Sequence, residues 1–390
     1  MKYDFDHVTD RRGTNSMKWD PETCSQFFGQ REILPFWVAD MDFRSAPPIV
    51  DAVVERARHG IYGYSVRTDS YYEAAIGWVR KRFGFKLKRE WLQFSPGIVP
   101  AINHLIQAIC VPGDKVVIQE PVYYPFRKAI ENNGCHVVNN PLTFNGTYYE
   151  MDFEDLEEKL RDPLVKALIL CSPHNPVSRV WNREELERLG NLCLESGVII
   201  IADEIHSDLV YSGYRHTMFP SLNQELAMNS VTCTSVSKTF NLAGMQCSNI
   251  IIPNPHIMEK YRRVLEKNNV EFQNPFSIVA AEAAYRECED WLEELLAYLE
   301  GNIALIRSYL GEHLPQANFI DPQATYLGWI DFREYERNGK KLESLMYDKA
   351  RVGMDSGLWF GEGGEGFMRL NFACPRRLLE EGLKRICSVF

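Results

Sequence analysis

The sequence predicts an α/β protein built on a mainly parallel sheet, with a smaller domain following it. Three observations carry that expectation. Between Lys115 and about Pro253, short apolar runs alternate with helical patterns, at residues 115–119, 136–138, 166–171, 197–202, 231–236 and 249–252. A strand–helix–strand rhythm of this kind builds parallel sheets, whose working groups collect at the carboxyl ends of the strands. Three of these runs lead into polar groups: Asn175, Asp203-Glu204 and Lys238, in that order. A charge at the end of a buried strand is costly unless something there uses it. Beyond Asp290 the pattern changes, and one or two long amphipathic helices run to about Leu314. A strand-like stretch at 366–372 and a final helix follow.

Taken in order, residues 1 to about 30 are polar and turn-rich, an arm expected to lie on another surface. Residues 34–43 pack apolar side chains around Asp40 and Asp42, reading as a strand and turn before a helix at Pro48. Ile61-Tyr-Gly-Tyr64-Ser65 is an aromatic turn. Ser95-Pro-Gly97-Ile98-Val99-Pro100 opens a helix whose apolar stripe is Ile102, Leu105, Ile106 and Ile109. A glycine before the first turn leaves the first N–H groups open, a ready anion site. The glycine-rich 361–366 carries Glu362 and Glu365, which would repel phosphate, so it reads as a mobile turn near the substrate. No internal repeat or low-complexity segment is visible.

At 390 residues the chain can bury a large core. A net charge of −10 and only short basic clusters, Arg80-Lys81-Arg82 and Arg262-Arg263, exclude nucleic acid as the main partner. The first residues have no apolar signal-peptide core, and no run of about 18 apolar residues marks a membrane span. The ten cysteines are scattered singly, without a CxxC pair or zinc-like spacing. They read as reduced, mostly buried thiols of a cytoplasmic protein that binds no metal.

The set Asn175, Asp203 and Lys238 is the one pyridoxal 5'-phosphate (PLP) requires. A lysine amine forms a Schiff base with the aldehyde, and a carboxylate keeps the pyridine nitrogen protonated. An amide donor meets the phenolic oxygen. Hydroxyls such as Ser235 and Ser237, with N–H groups at a helix start, hold the phosphate. On these residues, and from Phe5-Asp6 to Arg369-Leu-Asn-Phe-Ala-Cys-Pro375, the chain resembles fold-type I PLP enzymes of the class I/II aminotransferase superfamily. Within that superfamily it is most similar to the MalY/PatB-type cystathionine β-lyases.

The resemblance implies a fold-type I, PLP-dependent-transferase-like architecture: a large domain with a mainly parallel seven-stranded sheet, and a smaller α+β C-terminal domain. Residues 1–47 would form an arm and part of the small domain, 48–288 the PLP-binding domain and 289–390 the small domain. It implies Lys238 as Schiff-base lysine and Cα base, Asp203 on the pyridine nitrogen and Asn175 on the phenolic oxygen. Tyr123 would stack on the ring, with Tyr124 its rival, and Ile98, Val99, Ser235 and Ser237 would hold the phosphate. Ala39 and Arg369 would meet the substrate carboxylate. Tyr64 would reach the phosphate of a neighbouring subunit, which implies a homodimer with shared sites.

Three positions depart from the superfamily's common pattern. Asn175-Pro-Val-Ser178 replaces Asn-Pro-Thr-Gly, and Gln246 stands where many aminotransferases place a phosphate-binding arginine. His206, three residues after Asp203, replaces a tyrosine and matches the β-lyase branch. It would tune the cofactor oxygen or shuttle protons, or be only a hydrogen-bonded histidine. The implied reaction is α,β-elimination from a cysteine S-conjugate such as cystathionine, releasing pyruvate, ammonia and a thiol. The alternative is an aminotransferase built on the same residues. A regulator without catalysis is disfavoured, since every catalytic group is kept.

Overall fold

The computed structural model describes residues 2–270 and 272–390. Its central sheet has seven strands: β1 (Leu92–Ser95), β2 (Lys115–Ile118), β3 (His136–Asn139), β4 (Val165–Cys171), β5 (Ile199–Asp203), β6 (Ser230–Ser235) and β7 (Ser248–Ile251). Their spatial order is β1-β7-β6-β5-β4-β2-β3. Only β7 runs against its neighbours; β6, β5, β4, β2 and β3 are mutually parallel. The central strands β4 and β5 are nearly continuous apolar runs because both their faces are covered. Ala167, Ile169, Ile201 and Val231 face the helix Ile98–Ile109. Leu168, Leu170, Ile200 and Ala202 face the opposite way, toward Leu186 and Leu189 of the helix Arg183–Glu195. The alternation within β4 is the two-residue period of a strand, and each fully buried Leu or Ile contributes about 1.5–3 kcal/mol.

A second, antiparallel sheet holds β8 (Asn318–Phe319), β9 (Leu327–Asp331), β10 (Asp355–Ser356) and β11 (Phe367–Asn371), in the order β8-β9-β11-β10. Residues 289–313 form one helix rather than two, Glu289–His313, and the last helix is Arg376–Cys387. The core between them includes Leu292, Leu299, Leu370 and Leu379, and it also takes in Phe5, Phe28, Phe36 and Trp37 from the N-terminal arm. Phe5 sits among Phe43, Trp291 and Tyr298. The arm therefore lies on the chain's own smaller sheet region. It contains a short helix, Pro21–Phe28, started by the Asp20 side chain accepting from the Thr23 N–H and closed by Gly29 at φ 69°. Strand Leu34–Pro35 pairs in parallel with Val352–Gly353, which fixes where the chain crosses toward the large sheet.

No described helix is long and apolar enough to cross a membrane, and the described residues contain no cluster of three or more metal-ligand side chains. All ten cysteines are unpaired, nine of them buried.

Candidate active site

Three neighbouring strands deliver the central groups. β5 ends in Asp203, whose Oδ1 accepts the Ile205 N–H at 3.1 Å. β6 ends in Ser235, and its Oγ accepts the Ser237 N–H, starting a single helical turn, Val236–Thr239. That turn, rather than an open loop, carries Lys238. The Lys238 Nζ donates to the Ala39 carbonyl at 2.6 Å. β4 ends in Cys171, whose Sγ accepts the Asn175 N–H at 3.3 Å and holds the following loop against the sheet.

These ends open on one cavity of about 200 Å³. Ala39, Ile98, Val99, Tyr123, Asn175, Asp203, His206, Ser235, Ser237 and Lys238 all line it. Tyr124 does not; it packs on Trp359 and Phe360. Arg369 lies one layer behind. Its Nη1 donates to Asn175 Oδ1 at 2.8 Å, its Nη2 donates to the Trp37 carbonyl at 3.1 Å, and it is paired with Asp355. Because Arg369 takes the Asn175 oxygen, the NH2 end of that amide is the end left to donate. Tyr64 is 90% exposed, touches only Phe272 among the aromatic rings, and is not on this cavity.

The wall opposite Lys238 is held through its carbonyls. Asn371 donates to Val38 and Asp40, each at 2.6 Å, and the Tyr326 hydroxyl donates to Ala39 at 2.9 Å. Below it, the fully buried Lys18 pairs with Asp42 at 2.6 Å, while Arg11 bridges Asp40 and Asp42. Asp355, Tyr326, Asn371 and Lys18 were not singled out by sequence reasoning. Asp355 and Tyr326 lie in stretches with no periodic signal, and their contacts are with residues far along the chain.

Burial dominates the electrostatics. It pushes Asp203 up to about 7, against the Ile205 N–H and the Lys238 charge, which pull the other way. It pushes Lys238 down to about 8, with Arg369 adding to the fall and Asp40 and Asp203 opposing it. His206 is driven well below its ordinary value by burial and then by Lys238 and Arg369, so its ring is neutral, and its Nδ1 has no partner among the described residues. Glu204 is turned away, accepting from the Phe219 N–H at 2.7 Å and lying 2.9 Å from His216 Nε2.

The donor set fits PLP. The helix Ile98–Ile109 has Gly97 at its N-cap and no side-chain cap, so its first N–H groups stay open where Ile98 and Val99 meet the cavity. The Ser235 and Ser237 hydroxyls lie 2.9 Å apart on the same wall. An amine of lowered basicity, a carboxylate with an unused oxygen and a free amide NH2 suit an aldehyde, a ring nitrogen and a phenolic oxygen. The glycine-rich 361–366 turn is tied down: the Glu362 N–H donates to Glu120 at 3.0 Å, and the Asn139 amide donates to the Glu362 carboxylate at 2.9 Å.

Comparison with known proteins agrees with this geometry. The aminotransferase class I and II family model matches residues 37–386. The chain is 46% identical over 382 residues to cystathionine beta-lyase PatB of Bacillus subtilis (strain 168), covering 98% of each. It is 33% identical over 383 residues to protein MalY of Escherichia coli (strain K12), covering 98% of this chain and 97% of MalY. Among solved structures, cystalysin of Treponema denticola, which contains a pyridoxal 5'-phosphate cofactor, superposes with a TM-score of 0.96. The two are 35% identical, over 100% of this chain and 99% of that one.

Proposed function

The chain belongs to the aminotransferase class I and II family, in its MalY/PatB-type carbon–sulfur lyase branch, and from that premise we propose how its residues carry out a PLP-dependent β-elimination. The observation that carries the proposal is the meeting of Lys238 and Asp203 in one buried cavity with Asn175, His206 and the open helix start. The substrate is an amino acid with sulfur on Cβ, cystathionine or another cysteine S-conjugate.

When bound, PLP supplies the electron sink that makes the Cα proton removable. Asp203 would keep the ring nitrogen protonated, and that positive charge would offset the burial that raises its own pKa. Asn175 donates its free NH2 to the phenolic oxygen, oriented by Arg369. Tyr123, on the cavity wall, would cover one face of the ring. Ile98, Val99, Ser235 and Ser237 hold the phosphate. Arg369, whose two Nη groups are engaged by Asn175, Trp37 and Asp355, would draw the substrate carboxylate toward the Ala39 segment by its charge and by its Nε, which has no partner among the described residues. Lys238 would hold the cofactor aldehyde at rest and, as a free amine of lowered basicity, would take the Cα proton of the substrate. The Cβ–S bond then breaks, its electron pair leaving with sulfur as a thiolate, and hydrolysis of the remaining three-carbon fragment gives pyruvate and ammonia. The Cα proton taken by Lys238 is the one available to the leaving thiolate, and His206, neutral and on the same cavity wall, would relay it.

The active unit in this reading is a homodimer in the cytoplasm. What supports the dimer is the exposed apolar segment Ile61, Tyr62, Tyr64 and Val66 beside Phe272, with Tyr64 turned from its own cavity. The ten unpaired cysteines support a reducing compartment. The test incubates purified holoenzyme with cystathionine and, separately, with an amino acid plus a 2-oxo acid. Pyruvate, ammonia and thiol in the first reaction, in excess of any new amino acid in the second, are expected. Efficient amino transfer without thiol release would replace elimination with transamination.

A further inference from the structure

A phosphate dianion buried among neutral donors is poorly held unless a cation stands near it. Lys238 is the only lysine or arginine among the described residues on the cavity wall, His206 there being neutral, and it faces Ala39 and the Asp203 side. Gln246, eight residues after Lys238, is on the wall but uncharged. The phosphate end therefore lacks a cation of its own.

One stands directly behind it. Arg67 donates through Nη2 to the Ser248 carbonyl at 2.9 Å and through Nε to Gln273 Oε1 at 2.6 Å. Ser248 and its neighbour Cys247 are both on the cavity wall. Ser248 is also in register with Ser95, whose hydroxyl donates to the Gly97 carbonyl at the open helix start. The guanidinium is 4.6 Å from the Tyr71 ring centroid and 5.3 Å from that of Phe94, so two aromatic rings hold it beside β1 and β7. It forms no ion pair among the described residues, and its Nη1 is buried without a partner there. A guanidinium with an unused buried donor and no carboxylate has charge left for another anion.

We propose that Arg67 is the positive charge of the phosphate subsite, a positioning residue acting from behind Cys247 and Ser248 in place of a cation on the cavity wall. The inference rests on reading the cavity as the PLP site. It also explains how Gln246 is tolerated: the charge is present, but it comes from the loop after Tyr64 instead of the turn after Lys238.

Binding of two probes to apoenzyme separates this role from a structural one: PLP, and pyridoxal, which lacks the phosphate. Visible absorbance of the lysine adduct reads both. In Arg67→Gln the Kd for PLP should rise roughly ten-fold or more, the scale of losing one charge pair at protein dielectric, while that for pyridoxal stays unchanged. Moving the charge, in Arg67→Gln/Gln246→Arg, should restore PLP affinity. Unchanged PLP affinity in Arg67→Gln, or equal weakening of both probes in the folded variant, overturns the proposal. If Arg67→Gln does not fold, Arg67→Lys decides: PLP affinity within a few-fold of wild type supports it, and a selective ten-fold loss despite the retained charge overturns it. A wild-type protein that binds neither probe would instead overturn the cavity's assignment to PLP.

Discussion

Lys238 and Asp203 are each pulled by burial toward the neutral form, the amine to about 8 and the acid to about 7. The neutral amine is the nucleophile, and its fraction grows as pH rises through the folded-state value. Reconstitution of apoenzyme with PLP should therefore quicken with pH and level off above about 8, instead of climbing toward the ordinary lysine value of 10.5. Stopped-flow absorbance across pH checks this. Asp203→Asn cannot keep the ring nitrogen protonated, so it should retain cofactor while kcat for elimination falls by roughly a hundred-fold or more. Near-wild-type turnover would make Asp203 a structural carboxylate. Asp355 makes a third case. It is buried, raised to about 6 by burial against the pull of Arg369, and it offsets the charge of that guanidinium. Removing one partner of such a pair strands the other, at a cost of about 3–5 kcal/mol. Asp355→Asn should lower Tm, and an amino-acid substrate analogue should raise Tm more in the variant than in wild type, because its carboxylate supplies the missing charge. An identical ligand-induced shift in both proteins would show that Arg369 does not receive the carboxylate.

At the scale of elements, legibility followed burial. β4 and β5 were readable from their apolar runs, residues 167–171 and 199–202, and β6 from its β-branched Val231, Thr232 and Thr234; their carboxyl ends announced Asn175, Asp203 and Lys238. The helix Ile98–Ile109 was readable from its apolar stripe. The Pro21–Phe28 helix was not, because eight residues give too few turns for a period. β9 and β10 were missed for related reasons: β9 is entirely buried with mixed composition, and β10 is two residues long. The one-turn helix after β6 exists through a cap more than through propensity. Ser235→Ala should cost about 1 kcal/mol of stability by urea unfolding and also weaken PLP. Ser235→Asn, which can still cap, should recover the stability more than the affinity.

For the whole molecule, the sequence showed the separate pieces of the site but not the wall that closes it. Carbonyls 38–40 are gripped by Asn371, Tyr326 and Lys18, residues brought together from both ends of the chain. Such long-range clamps leave no local pattern to read. If Tyr64 completes a neighbour's site, mixing Tyr64→Ala with Lys238→Ala should regain about a quarter of wild-type activity, since half of a random mixture is heterodimer and each carries one intact site. Activity no higher than the parents after proven subunit exchange would confine Tyr64 to its own chain. The central claim is that, of every lysine in the molecule, Lys238 alone bonds the cofactor. Reducing the holoenzyme with borohydride and mapping its peptides lets all of them compete at once. The fixed label should fall on the Lys238 peptide; a label on Lys18, Lys260 or Lys267 instead would contradict the account.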